Sequence, residues 1–472
     1  MNKHGLMDGL KKRTMVVGMA RSGVAAAELL AAHGATVFLN DNKNAAQLSE
    51  MVSGLHSEAY IDIMGKNPVD YLNQVDQIVV SPGVPPTVPL FAAAKEKGVP
   101  ILAEIELGYR ATAAPIVAIG GTNGKTTTTS LVGEIFRTNG NNTFVLGNIG
   151  EPLCSAADQA KRDDIIVAEI ASLQLETTST FRPHSAALLN ITEDHLDRFG
   201  NMDRYIRVKA MMFENQTQDD FAVLNADDPL SQRVLPFIRA QLLHFSRHHA
   251  VEQGAFVRDG QIVFRFAGKE QIIAPVSSLR IPGAHNLENA LAAVAVSMPL
   301  GVEPERVAQA LARFPGVEHR IEFVRERDGV QYINDSKATN PDSAIKAVEA
   351  MTRPTVLISG GSNKNSDYKP LFEAFGGRIK AVVALGETAP QIVRDANATG
   401  YADIHVCGGS FEDGVRMARD LAEKGDTVLL SPACASYDMF TDYEQRGKVF
   451  KQIVNDANWR RENERGTKED LQ

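Results

Sequence analysis

The chain has 472 residues, 44% hydrophobic and 23% charged, which is the composition of a folded globular protein of about three domains rather than a disordered or fibrous one. A formal charge of −9 leaves no extended basic surface for nucleic acid or an anionic membrane, so anionic ligands must be met locally. Cys154, Cys407 and Cys434 form no C-x-x-C pair, the start of the chain lacks the apolar core of a signal peptide, and no run approaches the ~18 apolar residues of a membrane span, so a reducing, cytoplasmic setting is expected.

Short β-branched runs alternate with helical stretches along the whole length, the pattern of parallel sheets made of βαβ units. Thr14–Val17 reads as a strand, residues 24–33 as a helix closed by Gly34, residues 36–39 as the next strand, and Gln77–Val80 as another that ends in Ser81-Pro82-Gly83. Between the first strand and helix stands Gly18-Met19-Ala20-Arg21-Ser22-Gly23, close to a dinucleotide fingerprint but with Ala20 at its second glycine, which suits a nucleotide-like ligand. Asp41, after the following strand, is placed to accept from a ribose hydroxyl.

A second unit opens near Ala103, because Pro115 leads into an apolar strand at 116–119 and a Gly-rich turn. IVAIGGTNGKTTTTSLVGEIF is the strongest local signal in the chain. Gly120, Gly121 and Gly124 let backbone N–H groups converge on an anion, the following helix adds its positive end, Lys125 reaches the terminal phosphates, and the Thr126 hydroxyl holds Mg²⁺. The general pattern G-x-x-x-x-G-K-[ST] fails only at Ile119, and ATP binding is the expectation.

This unit continues through strands at 165–168, 186–189 and 221–224 and an apolar helix at 286–298, ending near Phe314-Pro315-Gly316. Glu169 follows the first of these strands and NITEDHLD, from Asn190, the second. In a parallel sheet both fall at the carboxyl edge beside the phosphate loop, where a carboxylate and an imidazole can hold a metal. For His195 the residues alone leave two readings open, a metal ligand and a loop histidine bonded to backbone. An unpartnered Glu169 at a buried strand end would be costly.

A third α/β unit starts afresh, with strands at 330–333, 355–359, 381–385 and Thr427–Leu430. Three polar loops follow strands in it: INDSKATNP at 333–341, where Asn340 and Pro341 start a helix, SGGSNK at 359–364, and SPACASYDMF at 431–440. Carboxyl-end loops converge on one crevice, and Lys337, Thr339, Lys364 and Ser436 suit it to a small acidic ligand.

With these residues in view, the chain resembles the Mur ligase family over nearly its whole length. GTNGKTT at 121–127 is similar to the family's ATP loop, while NITEDHLDRFG, DSKATN at 335–340 and SPACAS at 431–436 resemble the branch that adds D-glutamate; the DNPR string of the diamino-acid branch is absent. The resemblance implies a three-domain α/β protein. A Rossmann-like domain at 1–103 would bind the UDP-muramoyl substrate, a central P-loop ATPase-type domain at 104–316 with a mainly parallel sheet would bind ATP, and a Rossmann-like domain at 317–472 would bind the amino acid. The implied reaction joins D-glutamate to UDP-N-acetylmuramoyl-L-alanine through an acyl phosphate in the cytoplasmic stage of peptidoglycan synthesis. ATP and Mg²⁺ are the implied cofactors, the protein is expected to be a monomer, and neither nucleic acid nor membrane is a partner.

Position by position, the resemblance assigns ATP to Gly121, Thr122, Asn123, Gly124, Lys125, Thr126 and Thr127, with Asn286, Asn289, His319 and Arg320 near the base, phosphates or ribose, and Asp335 at the ribose or a hinge. Magnesium falls to Thr126, Glu169, His195 and Lys209, the last as a carbamate, and Lys125, Glu169, His195 and Lys209 carry the catalytic assignment. Gly18, Met19, Ala20, Arg21, Ser22, Asp41 and Gly83 line the uridine-nucleotide site, and Asn148 with His195 meets the muramoyl portion. Thr339, Lys364, Ser436 and Tyr443 match the D-glutamate pocket. Two positions depart from the family pattern: Ala171 replaces a frequent serine, and Tyr443 stands where Phe is expected. Three rival readings are a folate-type glutamate ligase without the first domain, a nucleotide-gated switch, and a nicotinamide oxidoreductase.

Overall fold

The computed structural model describes residues 10, 12–55, 58–194, 196–281, 283–362 and 366–456. Its first sheet contains β1 (Thr14–Val17), β2 (Val37–Asn40), β3 (Tyr60–Asp62), β4 (Gln77–Val80) and β5 (Ile101–Ala103), all parallel in the order β3-β2-β1-β4-β5. β1 is buried along its whole length, as an uninterrupted TMVV run requires in a sheet covered on both faces. The strand order reverses at β1, so a crevice opens between the loops after β1 and β4. The helix Arg21–Ala32 packs close above it: a Cβ on Gly23 would come within 1.9 Å of the Gly18 carbonyl oxygen.

The second sheet contains β6 (Ile116–Gly120), β7 (Thr143–Gly147), β8 (Ile165–Glu169), β9 (Ser185–Leu188), β10 (Phe221–Asn225), β11 (Gln241–Ser246), β12 (Gly254–Arg258), β13 (Gln261–Phe266) and β14 (Lys269–Pro275). Their order is β14-β13-β12-β11-β10-β9-β6-β8-β7, which puts β6 between two parallel neighbours and its glycine turn at the interior of the sheet. The third sheet holds β15 (Glu322–Arg327), β16 (Val330–Asn334), β17 (Thr355–Gly360), β18 (Ile379–Leu385), β19 (Ile404–Val406) and β20 (Thr427–Leu430), in the order β15-β16-β20-β17-β18-β19. The strands preceding the three polar loops, β16, β20 and β17, are therefore direct neighbours.

The mainly parallel pairing is interrupted at two places: β12, β13 and β14 form an antiparallel meander, and β15 pairs antiparallel with β16. The cause is turn chemistry. Asp259-Gly260, Ala267-Gly268 and Asp328-Gly329 each close a two-residue loop with both φ angles positive, at 50° and 71°, 49° and 75°, and 54° and 76°. That is the type I′ geometry matched to strand twist in hairpins.

The chain divides into two compact units, residues 1–280 with 285–314, and 281–284 with 315–472. The first two sheets share the first unit. Leu107 and Ala111 of the helix Glu104–Ala111 join Leu29 and Leu30 and the loop residues Cys154 and Ala157 in one apolar cluster. Each fully buried leucine there contributes about 1.5–3 kcal/mol relative to exposure. Among the described residues, no helix is long and apolar enough to cross a membrane.

Candidate active site

The glycine turn after β6 runs into the helix Lys125–Thr138, whose first position is Lys125. Gly121 and Gly124 have φ of 146° and 84°, and a Cβ on Gly124 would lie 2.3 Å from Asn289 Oδ1, so only glycine brings the turn this close to the neighbouring helix. That helix, Ala284–Ser297, returns the contact: Thr128 Oγ1 donates to Asn289 Oδ1 at 3.2 Å, and Asn289 Nδ2 donates to Asn286 Oδ1 at 3.2 Å. Thr126 and Thr127 are buried. The Lys125 ammonium donates to the Thr122 carbonyl at 2.8 Å, folding back over the loop.

Asn190, quoted from the sequence only as the start of a motif, ties down the glycine turn. Its Oδ1 accepts from the backbone N–H groups of Thr122 (3.2 Å) and Asn123 (2.8 Å), and its Nδ2 donates to the Asn123 carbonyl at 3.1 Å. Thr122 Oγ1 also reaches the Thr192 carbonyl at 3.2 Å and the Tyr205 hydroxyl at 3.3 Å. The phosphate loop and the loop leading to His195 are thus clamped together. His195 itself lies outside the described residues, as does Lys364.

Glu169 ends β8, beside β6, and is 2% exposed. Its Oε1 accepts from Asn148 Nδ2 at 2.8 Å, and Asn148 N–H donates to the Glu169 carbonyl at 2.9 Å. Oε2 is buried with no hydrogen-bond partner among the described residues. A buried carboxylate oxygen with nothing to accept is costly, and a cation is the natural completion. Lys209, on the helix Met202–Ala210, is 3% exposed, with Nζ 4.4 Å from the centre of the Tyr205 ring. Burial first, and then the nearby Lys125 charge, hold its pKa well below the usual lysine range.

Mg²⁺ is a hard cation that takes oxygen ligands and keeps several waters and substrate phosphates. Glu169 Oε2 and the Thr126 hydroxyl fit it; a Lys209 ammonium does not, whereas a Lys209 carbamate does. Among the described residues, no group of three His, Cys, Asp or Glu side chains is placed to hold a metal by itself.

In the crevice of the first sheet, a cavity of about 450 Å³ is lined by Gly18, Asp41, Lys66, Gly83, Val84 and Pro85, among others. Asp41 accepts from the N–H of Met19 at 2.8 Å and of Lys43 at 2.9 Å, so it sets the shape of the first loop while retaining capacity for another donor. Ser81 Oγ donates to the Gly18 carbonyl at 2.6 Å and ties the two sides of the crevice. Met19 is buried, whereas Ala20 and Arg21 are exposed and Ser22 half-buried. Arg198, from the segment after His195, donates to the Val84 carbonyl at 3.2 Å and to Glu176 at 2.6 Å.

In the second unit, Asp335 follows β16, is buried, and accepts from Ser431 Oγ at 2.7 Å and the Ile321 N–H at 3.2 Å; burial pushes its pKa up to about 7. His319 is buried and neutral-leaning, its pKa lowered mainly by burial, with Asn334 Nδ2 at 2.9 Å from Nδ1. Arg320 and Asp335 belong to this unit, whereas Asn286 and Asn289 belong to the first. Ser362 N–H donates to the Ala435 carbonyl at 2.9 Å, so the loops after β17 and β20 touch. Thr339 is half-buried and Ser436 buried. The Tyr443 hydroxyl finds its partner in Glu444 at 3.3 Å. Position 171 contributes only its backbone, whose N–H donates to Gln174 at 2.8 Å.

Three family profiles match the chain: Mur ligase MurD-like N-terminal domain over residues 12–103, Mur ligase middle domain over 119–297, and Mur ligase glutamate ligase domain over 319–434. A UDP-N-acetylmuramoylalanine–D-glutamate ligase of Pelotomaculum thermopropionicum is 48% identical over 449 residues, which are 95% of this chain and 98% of that protein. The chain belongs to the Mur ligase family. As a Mur ligase it is ATP-dependent and acts on small-molecule substrates. Among solved Mur ligases, the UDP-N-acetylmuramate–alanine ligase of Thermotoga maritima has a TM-score of 0.58 at 19% identity, over 94% of this chain and 99% of its own. A MurF ligase of Thermotoga maritima in complex with ADP has a TM-score of 0.55 at 17% identity, over 95% and 96%. At these identities the likeness is one of fold.

Proposed function

We propose that this Mur ligase adds D-glutamate to UDP-N-acetylmuramoyl-L-alanine, using ATP and Mg²⁺, in the cytoplasmic stage of peptidoglycan synthesis, and that it acts as a monomer. The observation that carries the reading is Glu169 Oε2, buried at the end of the strand beside β6 and without a hydrogen-bond partner among the described residues, with the cationic Lys125 and the buried Lys209 near one another in the same unit. The names of relatives 42–48% identical over most of the chain support the choice of amino acid.

In the first step a carboxylate oxygen of the alanyl group attacks the γ-phosphorus of ATP, giving an acyl phosphate and ADP. In the second, the amine of D-glutamate attacks the acyl carbon, the C–O bond to phosphate breaks, and the amine loses a proton as inorganic phosphate leaves. Thr126, Glu169, His195 and a carbamylated Lys209 would hold Mg²⁺, which would neutralise charge on the transferred phosphoryl group. Lys125 does the same from the loop, and Asn190 keeps the loop in register. Asn148 orients Glu169, and the cavity bounded by Gly18, Asp41 and Gly83 receives the uridine nucleotide. No side-chain nucleophile is required, so orientation of the reactants, worth roughly 7–11 kcal/mol of barrier, is the main contribution.

A folate-type glutamate ligase would keep the phosphate loop, but it would have no use for the first sheet and its cavity. The test is phosphate release from ATP with UDP-N-acetylmuramoyl-L-alanine present and each amino acid added in turn. D-glutamate alone among them should drive sustained release; release driven equally by a diamino acid or L-alanine would sink the assignment.

A further inference from the structure

Arg446 is the bulkiest of the fully buried side chains, 1% exposed, on the helix Tyr443–Asn455. Its guanidinium is committed to neutral acceptors. Nε donates to Ser336 Oγ at 2.9 Å, Nη1 to the carbonyls of Cys434 (3.2 Å) and Ala435 (3.3 Å), and Nη2 to those of Ser336 (2.8 Å) and Cys434 (3.2 Å). Among the described residues, no carboxylate lies within ion-pair distance of it, although the charges of Asp335 and Asp438 favour its protonated form. Burial lowers its pKa to about 10, which leaves it a cation at neutral pH. A buried, unpaired cation is expensive, and a neutral amide donor would serve a purely structural cross-link without that cost.

The acceptors all belong to the candidate amino-acid pocket. Ser336 is in the loop that carries Thr339, Ala435 precedes Ser436, and Ser336 Oγ donates in turn to the Tyr443 carbonyl at 2.8 Å. In a trans peptide the N–H points opposite to the C=O, so the peptide units after Cys434 and Ala435 turn their N–H groups away from Arg446 and extend its positive field, while the N–H after Ser336 is taken by the His319 carbonyl at 3.0 Å.

We propose that Arg446 is a positioning residue for the amino-acid substrate, holding the loops of Thr339, Ser436 and Tyr443 in register and supplying a positive potential that favours a substrate with a second carboxylate. The inference rests on the D-glutamate reading above. The test compares the full-length wild type with Arg446→Gln and Ser336→Ala, measuring KM for ATP, for the UDP-muramoyl substrate and for D-glutamate, and inhibition by D-glutamine as an uncharged competitor. Arg446→Gln keeps a donor but loses the charge. It should raise KM for D-glutamate at least about tenfold, leave the other two KM values within about twofold, and erase most of the preference for D-glutamate over D-glutamine. Ser336→Ala keeps the charge and unties one contact, so it should weaken both amino acids by the same factor, about threefold, and preserve the preference.

Equal rises in all three KM values in Arg446→Gln, or an unchanged preference, overturn the proposal. If Arg446→Gln does not fold, Ser336→Ala decides: unchanged amino-acid binding in that variant overturns the positioning role. A wild type indifferent to D-glutamate overturns the ligase reading together with this one, whereas a responsive wild type with a neutral Arg446→Gln overturns this one alone.

Discussion

Lys125 and Lys209 are two lysines in one neighbourhood, and the proposed function gives them opposite duties. Lys125 lies over a turn of backbone N–H groups and must be cationic to meet phosphate, so Lys125→Ala should abolish turnover while the melting temperature stays near wild type; phosphate release near the wild-type rate would refute the loop assignment. Lys209 is buried near that charge, and its lowered pKa enriches the neutral amine, the form that attacks CO₂ to give a carbamate and a released proton. Lys209→Ala should lose most activity, and added short-chain carboxylates should restore part of it by returning oxygen ligands. Full activity of the variant in CO₂-stripped buffer would remove the residue from the metal site. Lys364 meets a carboxylate of D-glutamate in this account, so Lys364→Ala should raise KM for D-glutamate, by a loss of roughly 1.5–3 kcal/mol, far more than KM for ATP. Equal changes in both would point to domain damage. The burial of Lys209 was not legible, since a helical lysine two residues after Arg207 reads as solvated, although it stands one turn after Tyr205 on the same helical face. Nor were Asn190 and Arg446, because clamping and cross-linking depend on which strands become neighbours.

At the scale of elements, β1, β4 and β20 occupy the residues that their apolar runs indicate, because a strand buried on both faces tolerates no polar interruption. The antiparallel meander and the β15–β16 hairpin went unread although Asp259-Gly260 and Asp328-Gly329 are hairpin signals; the meander's strands, such as KEQIIAP, carry too many polar residues to stand out. The helix Glu104–Ala111 joins the first two sheets and begins with Glu104, whose Oε1 accepts from the Cys154 N–H at 2.6 Å while Oε2 is buried without a hydrogen-bond partner among the described residues. Burial raises this carboxyl to about 7 from 4.5. The folded state then binds the proton more tightly than the unfolded one, so the stability it contributes is full below about pH 4.5 and is lost as pH rises through about 7, a change on the order of 3 kcal/mol. Glu104→Gln should gain on wild type by about 2.5 kcal/mol of unfolding free energy, read from denaturant titrations, between pH 5 and pH 8. A constant difference across that range would show that Glu104 does not titrate there.

For the whole molecule, three anionic substrates must bind a chain of charge −9, so each positive group has to act locally. Lys125 sits at the phosphate loop, and Arg446 lies beneath the loops of the third sheet. The central claim is that ATP activates the alanyl carboxylate before the amine attacks, which fixes the fate of one oxygen atom. UDP-N-acetylmuramoyl-L-alanine labelled with ¹⁸O in that carboxylate, turned over with ATP and D-glutamate, should deliver one labelled oxygen to inorganic phosphate for each amide bond formed. Phosphate free of label, with both labelled oxygens accounted for elsewhere, would contradict the acyl phosphate and the account built on it.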